Sequence, residues 1–344
     1  MVIGDGNFIA GRATGLLEKY PRINVVARPQ NDAEALARFT AASVDVIVFD
    51  IGGAPGEAIT TITGLLNIDP KAEIIMISTL NFTNVKTAIE ALDKGAAEFL
   101  QTPAAHTKER SLAVFQHNLT ETVYGLGLAR QRERLPPKEA PAAPAFDLRP
   151  VSRATPEILV IASSTGGPKA LKDLLAGLPP SMSLPILIAQ HMPPIFTETL
   201  AKNLSSISGR PAGEGKDFDL VKPGHIYVAP GDKHMTVEKA GEDAIIRINQ
   251  GPPENYCRPS ANPLFRSAVM VYGAATLGAV LTGMGKDGKS GAEAIANAGG
   301  TIVAQDEESC VVWGMPRAVA EAGICSAVLP LKDIALYLNK LAKS

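Results

Sequence analysis

Cysteine is scarce in this 344-residue chain: Cys257, Cys310 and Cys325 are the only ones. They are too few and too unevenly spaced for a disulfide framework or a zinc site, which favours a reducing compartment and thiols that act as small core residues. Neither sign of charge is in excess, with 33 Lys and Arg against 35 Asp and Glu and a formal net charge of -2. The basic residues are scattered, so no electrostatic footprint for nucleic acid or an anionic bilayer exists. The longest uncharged run, Ser267 to Gly285, is broken by Gly273, Gly278 and Gly283. It fits a buried helix end followed by a buried strand better than a membrane span. The opening "MVIGDGNFIAGR" reads as a strand and a turn, not a basic-then-apolar leader. The expectation is a cytoplasmic protein without membrane insertion.

What the chain has is apolar alternation. Hydrophobic residues make up 46% of it, enough for two cores of ordinary size. Over residues 1–134 the short runs "MVIGD", "NVVAR", "VDVIVFD", "EIIMIS" and "EFL" alternate with segments of helical spacing. The last helix is expected from about Lys108 to Glu133. Repeated strand-then-helix units predict a parallel sheet with helices on both faces. Leu135 to Pro156 is rich in Pro and Ala and reads as a stiff linker. From Glu157 a second alternation begins with "EILVIAS", "LPILIAQ", "TLGAVLTG" and "GGTIVAQ", while "GHIYVAPGDKHMTVE" reads as a hairpin turning at "PGDK". The expected architecture is α/β: two doubly wound parallel-sheet domains, residues 1–134 and 157–344, the second with an inserted antiparallel hairpin.

In open α/β sheets, reactive groups gather at the carboxyl ends of strands. There "EILVIAS" delivers Ser164, "LPILIAQ" delivers His191, and "TLGAVLTG" leads to Met284 and Asp287. If those strands are parallel neighbours, a hydroxyl, an imidazole and a carboxylate share one rim, the parts of a nucleophilic triad. Each residue alone has a plainer reading. "SSTGGP" fits a tight turn or an anion-binding loop, His191 a satisfied core histidine, and Asp287 a turn carboxylate. His225 and His234 fall in the expected hairpin and are weaker candidates for the base. A competing motif overlaps the site: in "LTGMGKDGKSG", Gly283, Gly288, Lys289 and Ser290 match the spacing of a phosphate-binding loop. Too little chain follows to build the rest of a nucleotide fold, so Asp287, not Lys289, is expected to carry the charge that matters.

The segments "IASSTGGPKAL", "QHMPP", "IYVAPGD", "RPSA", "LTGMG" and "GMPRA" occur in one order across residues 157–341. Together they resemble the catalytic domain of the chemotaxis protein-glutamate methylesterase (CheB) family. The resemblance implies Ser164 as nucleophile, His191 as general base and acid, and Asp287 as the residue that orients it. It further implies the amides of Thr165 and Met284 as an oxyanion hole, with no cofactor. Methyl-accepting chemotaxis receptors are the implied substrate, a chemotaxis histidine kinase is an implied partner, and glutamine deamidation is a second implied activity. Arg258 is a candidate for binding an acidic receptor helix, with a structural arginine as the alternative. Asn262 stands where the family commonly has an acidic residue.

The N-terminal half resembles a receiver (flavodoxin-like) domain in degenerate form. Asp50 stands where a phosphoacceptor would lie, with Asp5 and Ser78 at other strand ends. Gly4 and Thr102 replace an expected acid and lysine. A magnesium site there would be short of oxygen ligands. A non-catalytic two-domain signalling scaffold is the alternative expectation.

Overall fold

Continuous apolar runs fit a sheet covered on both faces, and the computed structural model arranges them in that way. It describes residues 1–4, 8–41, 43–52, 55–79, 82–103, 109–134 and 146–343. The chain divides into two compact units, residues 1–139 and 140–344.

In the first unit β1 (Val2–Ile3), β2 (Val46–Asp50), β3 (Glu73–Ser78) and β4 (Glu98–Gln101) form a parallel sheet in that order. The helices are α1 (Phe8–Leu17), α2 (Asp32–Ala41), α3 (Pro55–Ile68), α4 (Phe82–Lys94) and α5 (Glu109–Arg134). Helix α5 packs on α1 and across β2, β3 and β4, while α3 packs on α2 and α4. The expected strand "NVVAR" is not regular. Its neighbourhood still runs along β1, accepting hydrogen bonds from Val2 N at Ala27 O (3.1 Å) and from Gly4 N at Pro29 O (3.4 Å). Two such bonds do not make a ladder.

In the second unit the main sheet has the order β13-β12-β11-β5-β6-β8-β7 and is parallel throughout. Its strands are β5 (Ile158–Ser163), β6 (Ile186–Gln190), β7 (Ala212–Glu214), β8 (Ile226–Val228), β11 (Thr276–Val280), β12 (Thr301–Gln305) and β13 (Ala327–Leu329). A separate antiparallel ribbon joins β9 (His234–Ala240) to β10 (Asp243–Asn249). The hairpin therefore turns at Gly241, not at the "PGDK" that the alternation predicts. Residues Ile226–Val228 are buried throughout and belong inside the main sheet. The loop after them is pressed against Pro193 and Pro194, where a Cβ on Gly231 would lie 2.3 Å from Pro194 N.

The period-two alternation of β5 splits the core. Leu159 and Ile161 face α6 (Gly167–Ala176), α7 (Phe196–Ser208) and α11 (Leu331–Leu341). Ile158, Val160 and Ala162 face α8 (Ala261–Tyr272), α9 (Lys289–Asn297), α10 (Met315–Ala320) and the ribbon. From β5 the chain builds outward through β6 to β8, then crosses back through the ribbon and α8 to β11 on the other side. The point where strand order reverses lies between β5 and β11, which is where such sheets open a crevice. Residues 146–156 belong to this unit: Arg149 N donates to Cys325 O and Ser152 Oγ to Ala274 O, at 2.8 and 2.9 Å. The rest of the Pro-rich segment, 135–145, lies outside the described residues.

Helices α8 and α9 meet closely because Gly291 has no side chain; a Cβ there would fall 2.6 Å from Phe265 Cβ and 3.1 Å from Asn262 Cα. Neither atom can move without its backbone. Gly291→Ala is expected to destabilise the second unit by about 1–3 kcal/mol, read as an earlier unfolding transition of the full chain in urea. An unchanged transition would show that the contact relaxes freely.

Candidate active site

Strand β5 runs into a turn that only glycine completes. Gly166 has φ 74°, and a Cβ there would lie 2.6 Å from Val311 Cβ. Gly167 N closes the turn on Ser164 O at 2.7 Å, and α6 starts immediately. Half-buried Ser164 thus sits at the mouth of a helix N-terminus, where free amides and the helix dipole favour negative charge. Ser164 N donates to Thr282 O at 3.0 Å, extending the β5–β11 ladder past the strand ends. The two backbones come so close that a Cβ on Gly283 would lie 2.8 Å from Ser164 Cβ. Among the described residues, the amides of Thr165 and Met284 donate no hydrogen bond.

On the other side of β5, His191 N donates to Ser163 O at 3.1 Å, so the base candidate also follows directly from a ladder. Buried Gln190 fixes the pairing. Its Oε1 accepts from Ser163 Oγ (2.6 Å), and its Nε2 donates to Ser164 O (3.0 Å) and His191 O (3.2 Å). One side-chain amide thereby holds the backbones that carry both reactive groups. Nothing in the apolar pattern of "LPILIAQ" beyond its single polar end residue signals this role.

His191 Nε2 lies 2.8 Å from Asp287 Oδ2. The imidazole is 13% exposed and the carboxylate 1%. Asp287 Oδ1 also accepts from Ser260 Oγ (2.6 Å) and Asn255 Nδ2 (3.2 Å), and Oδ2 from Ala261 N (2.7 Å) in the first turn of α8. Burial alone would push this carboxyl up; His191, Ser260 and Ala261 outweigh it and hold it down at about 2. Burial likewise pulls the His191 imidazole down, but the Cys257 sulfur beside it and Asp287 raise it to about 10. Nε2 is engaged by Asp287 and the Cys257 side chain also hydrogen-bonds the ring; Nδ1 is the nitrogen that Asp287 leaves for proton exchange. No hydrogen bond joins Ser164 Oγ to the imidazole among the described residues; such contacts commonly tighten only when substrate is bound.

Ser164, Thr165, His191, Met284 and Asp287 therefore gather on one rim. Arg258 donates to Asp232 Oδ1 (2.7 and 3.0 Å) and to the carbonyls of Gln250 and Gly251 (3.3 and 3.1 Å). Its charge is already matched, which favours the structural alternative. Asn262 is buried, and its Oδ1 accepts from Gly291 N at 2.9 Å in the first turn of α9. The phosphate-loop match builds no cradle, because Lys289 pairs with Glu293 at 3.9 Å on the same helix and Asp287 is buried in its middle. Cys310 and Cys325 are core residues, but Cys257 is only half-buried and stands at the site. It follows a tight turn in which Asn255 and Tyr256 have φ of 50° and 65°.

In the first unit Asp50 is buried at the end of β2, and its Oδ1 accepts from Gly52 N at 2.9 Å. It borders a cavity of about 330 Å³ lined also by Asn31, Asp32 and Glu57. Ser78 and Thr102 are buried, Thr102 N donating to Ser78 O at 2.8 Å. Asp5 lies outside the described residues. Among the described residues no three His, Cys, Asp or Glu side chains converge as metal ligands.

Comparison with known proteins places this geometry. The CheB methylesterase family model matches residues 159–338. The protein-glutamate methylesterase/protein-glutamine glutaminase 2 of Caulobacter vibrioides is 45% identical over 348 residues, covering 100% of this chain and 99% of that relative. A counterpart from Rhodospirillum rubrum is 42% identical over 367 residues, covering 99% and 94%. The crystal structure of the Thermotoga maritima CheB methylesterase catalytic domain aligns with a TM-score of 0.53 at 40% identity, covering 55% of this chain and 100% of that one. Strand order, crevice and matched residues lead to one assignment: the chain belongs to the CheB methylesterase family.

Proposed function

We propose that the chain hydrolyses the methyl esters of glutamyl side chains on methyl-accepting chemotaxis receptors, and deamidates glutamine at the same site, with Ser164, His191 and Asp287 as its triad. The observation that carries the reading is the bond from His191 Nε2 to buried Asp287 Oδ2, at the rim where Ser164 also emerges. Ser164 Oγ attacks the ester carbonyl while His191 Nδ1 takes its proton. The carbonyl oxygen becomes an oxyanion facing the amides of Thr165 and Met284, which are not otherwise bonded. The imidazolium returns its proton to the leaving methoxide, and methanol departs from the acyl-enzyme. Water, deprotonated by the same nitrogen, then releases glutamate and restores the serine. For glutamine the first leaving group is ammonia. Every step uses a side chain or amide of this chain.

The N-terminal unit is read as a regulatory, receiver-like domain with Asp50 as the phosphoacceptor position and a chemotaxis histidine kinase as the partner. A cytoplasmic location follows from that assignment. No helix among the described residues is long and apolar enough to cross a membrane.

Two outcomes are expected. Ser164→Ala should reduce methanol release from methylated receptor roughly 10³-fold or more, and wild-type release by the variant would refute the nucleophile assignment. The base works only when neutral, so kcat/KM should rise with pH through a His191 titration that lies above the ordinary 6.5. Asp287→Asn removes the anion that favours the imidazolium and should move that titration downward. The check is a pH profile of both proteins; coincident acid limbs would contradict the assignment.

A further inference from the structure

A second histidine lies behind the triad. His234, at the start of β9, is 2% exposed. Its Nε2 lies 3.1 Å from Pro252 O, and its Nδ1 lies 3.2 Å from Ser260 N. A carbonyl only accepts and an amide only donates, so this imidazole is neutral, with its hydrogen on Nε2. Ser260 is then fixed in turn. Its Oγ accepts from Asn262 N at 3.2 Å as the cap of α8, which leaves its one hydrogen for Asp287 Oδ1 at 2.6 Å. The direction of every bond from Pro252 to His191 is thus determined.

We propose that His234 and Ser260 are positioning residues of the esterase: His234 sets the backbone of Ser260, and Ser260 aims the Asp287 carboxylate so that Oδ2 meets His191. This rests on the triad reading above. Ser260 alone would be an ordinary helix cap. The donation to Asp287 is what a cap does not require, and glycine separates the two roles because it caps nearly as well as serine but has no hydroxyl.

The test uses the full chain and methylated receptor. A lost hydrogen bond to a buried charge corresponds to roughly 10- to 100-fold in rate. Ser260→Gly is expected to lower kcat by that factor with KM within about twofold and to weaken the low-field proton resonance of the His191–Asp287 pair. Ser260→Thr, which keeps the hydroxyl, should restore most of the rate. His234→Leu should lower kcat in the same manner and His234→Asn, which returns an acceptor near Nδ1, should recover part of it. The second pair keeps the test decisive if Ser260→Gly fails to fold. Wild-type kcat in Ser260→Gly or His234→Leu, or no recovery in the threonine and asparagine variants, would overturn the proposal. Ser164→Ala and Asp287→Asn, assayed in parallel, separate the failures. If both lose most of their rate while Ser260→Gly runs at full rate, the relay alone is wrong; if both run at the wild-type rate, the triad reading fails and the relay with it.

Discussion

A carboxylate taken out of water costs several kcal/mol unless its lone pairs are met, and the architecture of the second unit meets those of Asp287. Its partners come from distant stretches of chain: His191 after β6, Asn255 in the turn beyond the ribbon, and Ser260 and Ala261 at the start of α8. Satisfying this one group fixes the crossover that returns the chain from the ribbon to β11. It also fixes the imidazole, because a fully bonded carboxylate has no freedom to turn away. The stability this contributes is present above the ordinary carboxyl value of 3.8 and is lost as pH falls through about 2.

The rest of the site depends on close backbone approach. Gly166 allows the turn after Ser164, Gly283 allows β11 to lie against it, and Gln190 ties β5 to β6 from within. The reacting groups follow directly from strand ends and are held by ladder hydrogen bonds, so their spacing is inherited from the sheet. Preorganisation of this kind is what electrostatic catalysis requires.

Much of this was legible in the sequence. Continuous apolar runs located β5, β6, β11 and β12, and the rule that reactive groups sit at strand ends put Ser164, His191 and Asp287 on one rim. The less legible parts have specific reasons. "GHIYVAPGDKHMTVE" alternates acceptably around either turn, and only the burial of Ile226–Val228 in the main sheet decides between them. "NVVAR" has strand composition but too few partners for a ladder. Arg258, open in the sequence between receptor binding and a structural role, is engaged by Asp232, and Asn262 by the N-terminus of α9. Gln190, Ser260 and His234 act through side-chain bonds between elements remote in sequence, and no local periodicity encodes those. Cys257 looked like a small core residue by composition alone.

The account's central claim is that Ser164 is made nucleophilic by an imidazole held on a buried carboxylate. Reaction of the full-length protein with a serine-directed fluorophosphonate, followed by peptide mass spectrometry, tests it most directly. The account predicts a single adduct on the peptide carrying Ser164, formed rapidly in the wild type and far more slowly in His191→Ala. Adduct formation at another residue, or at Ser164 with undiminished rate in His191→Ala, would contradict it.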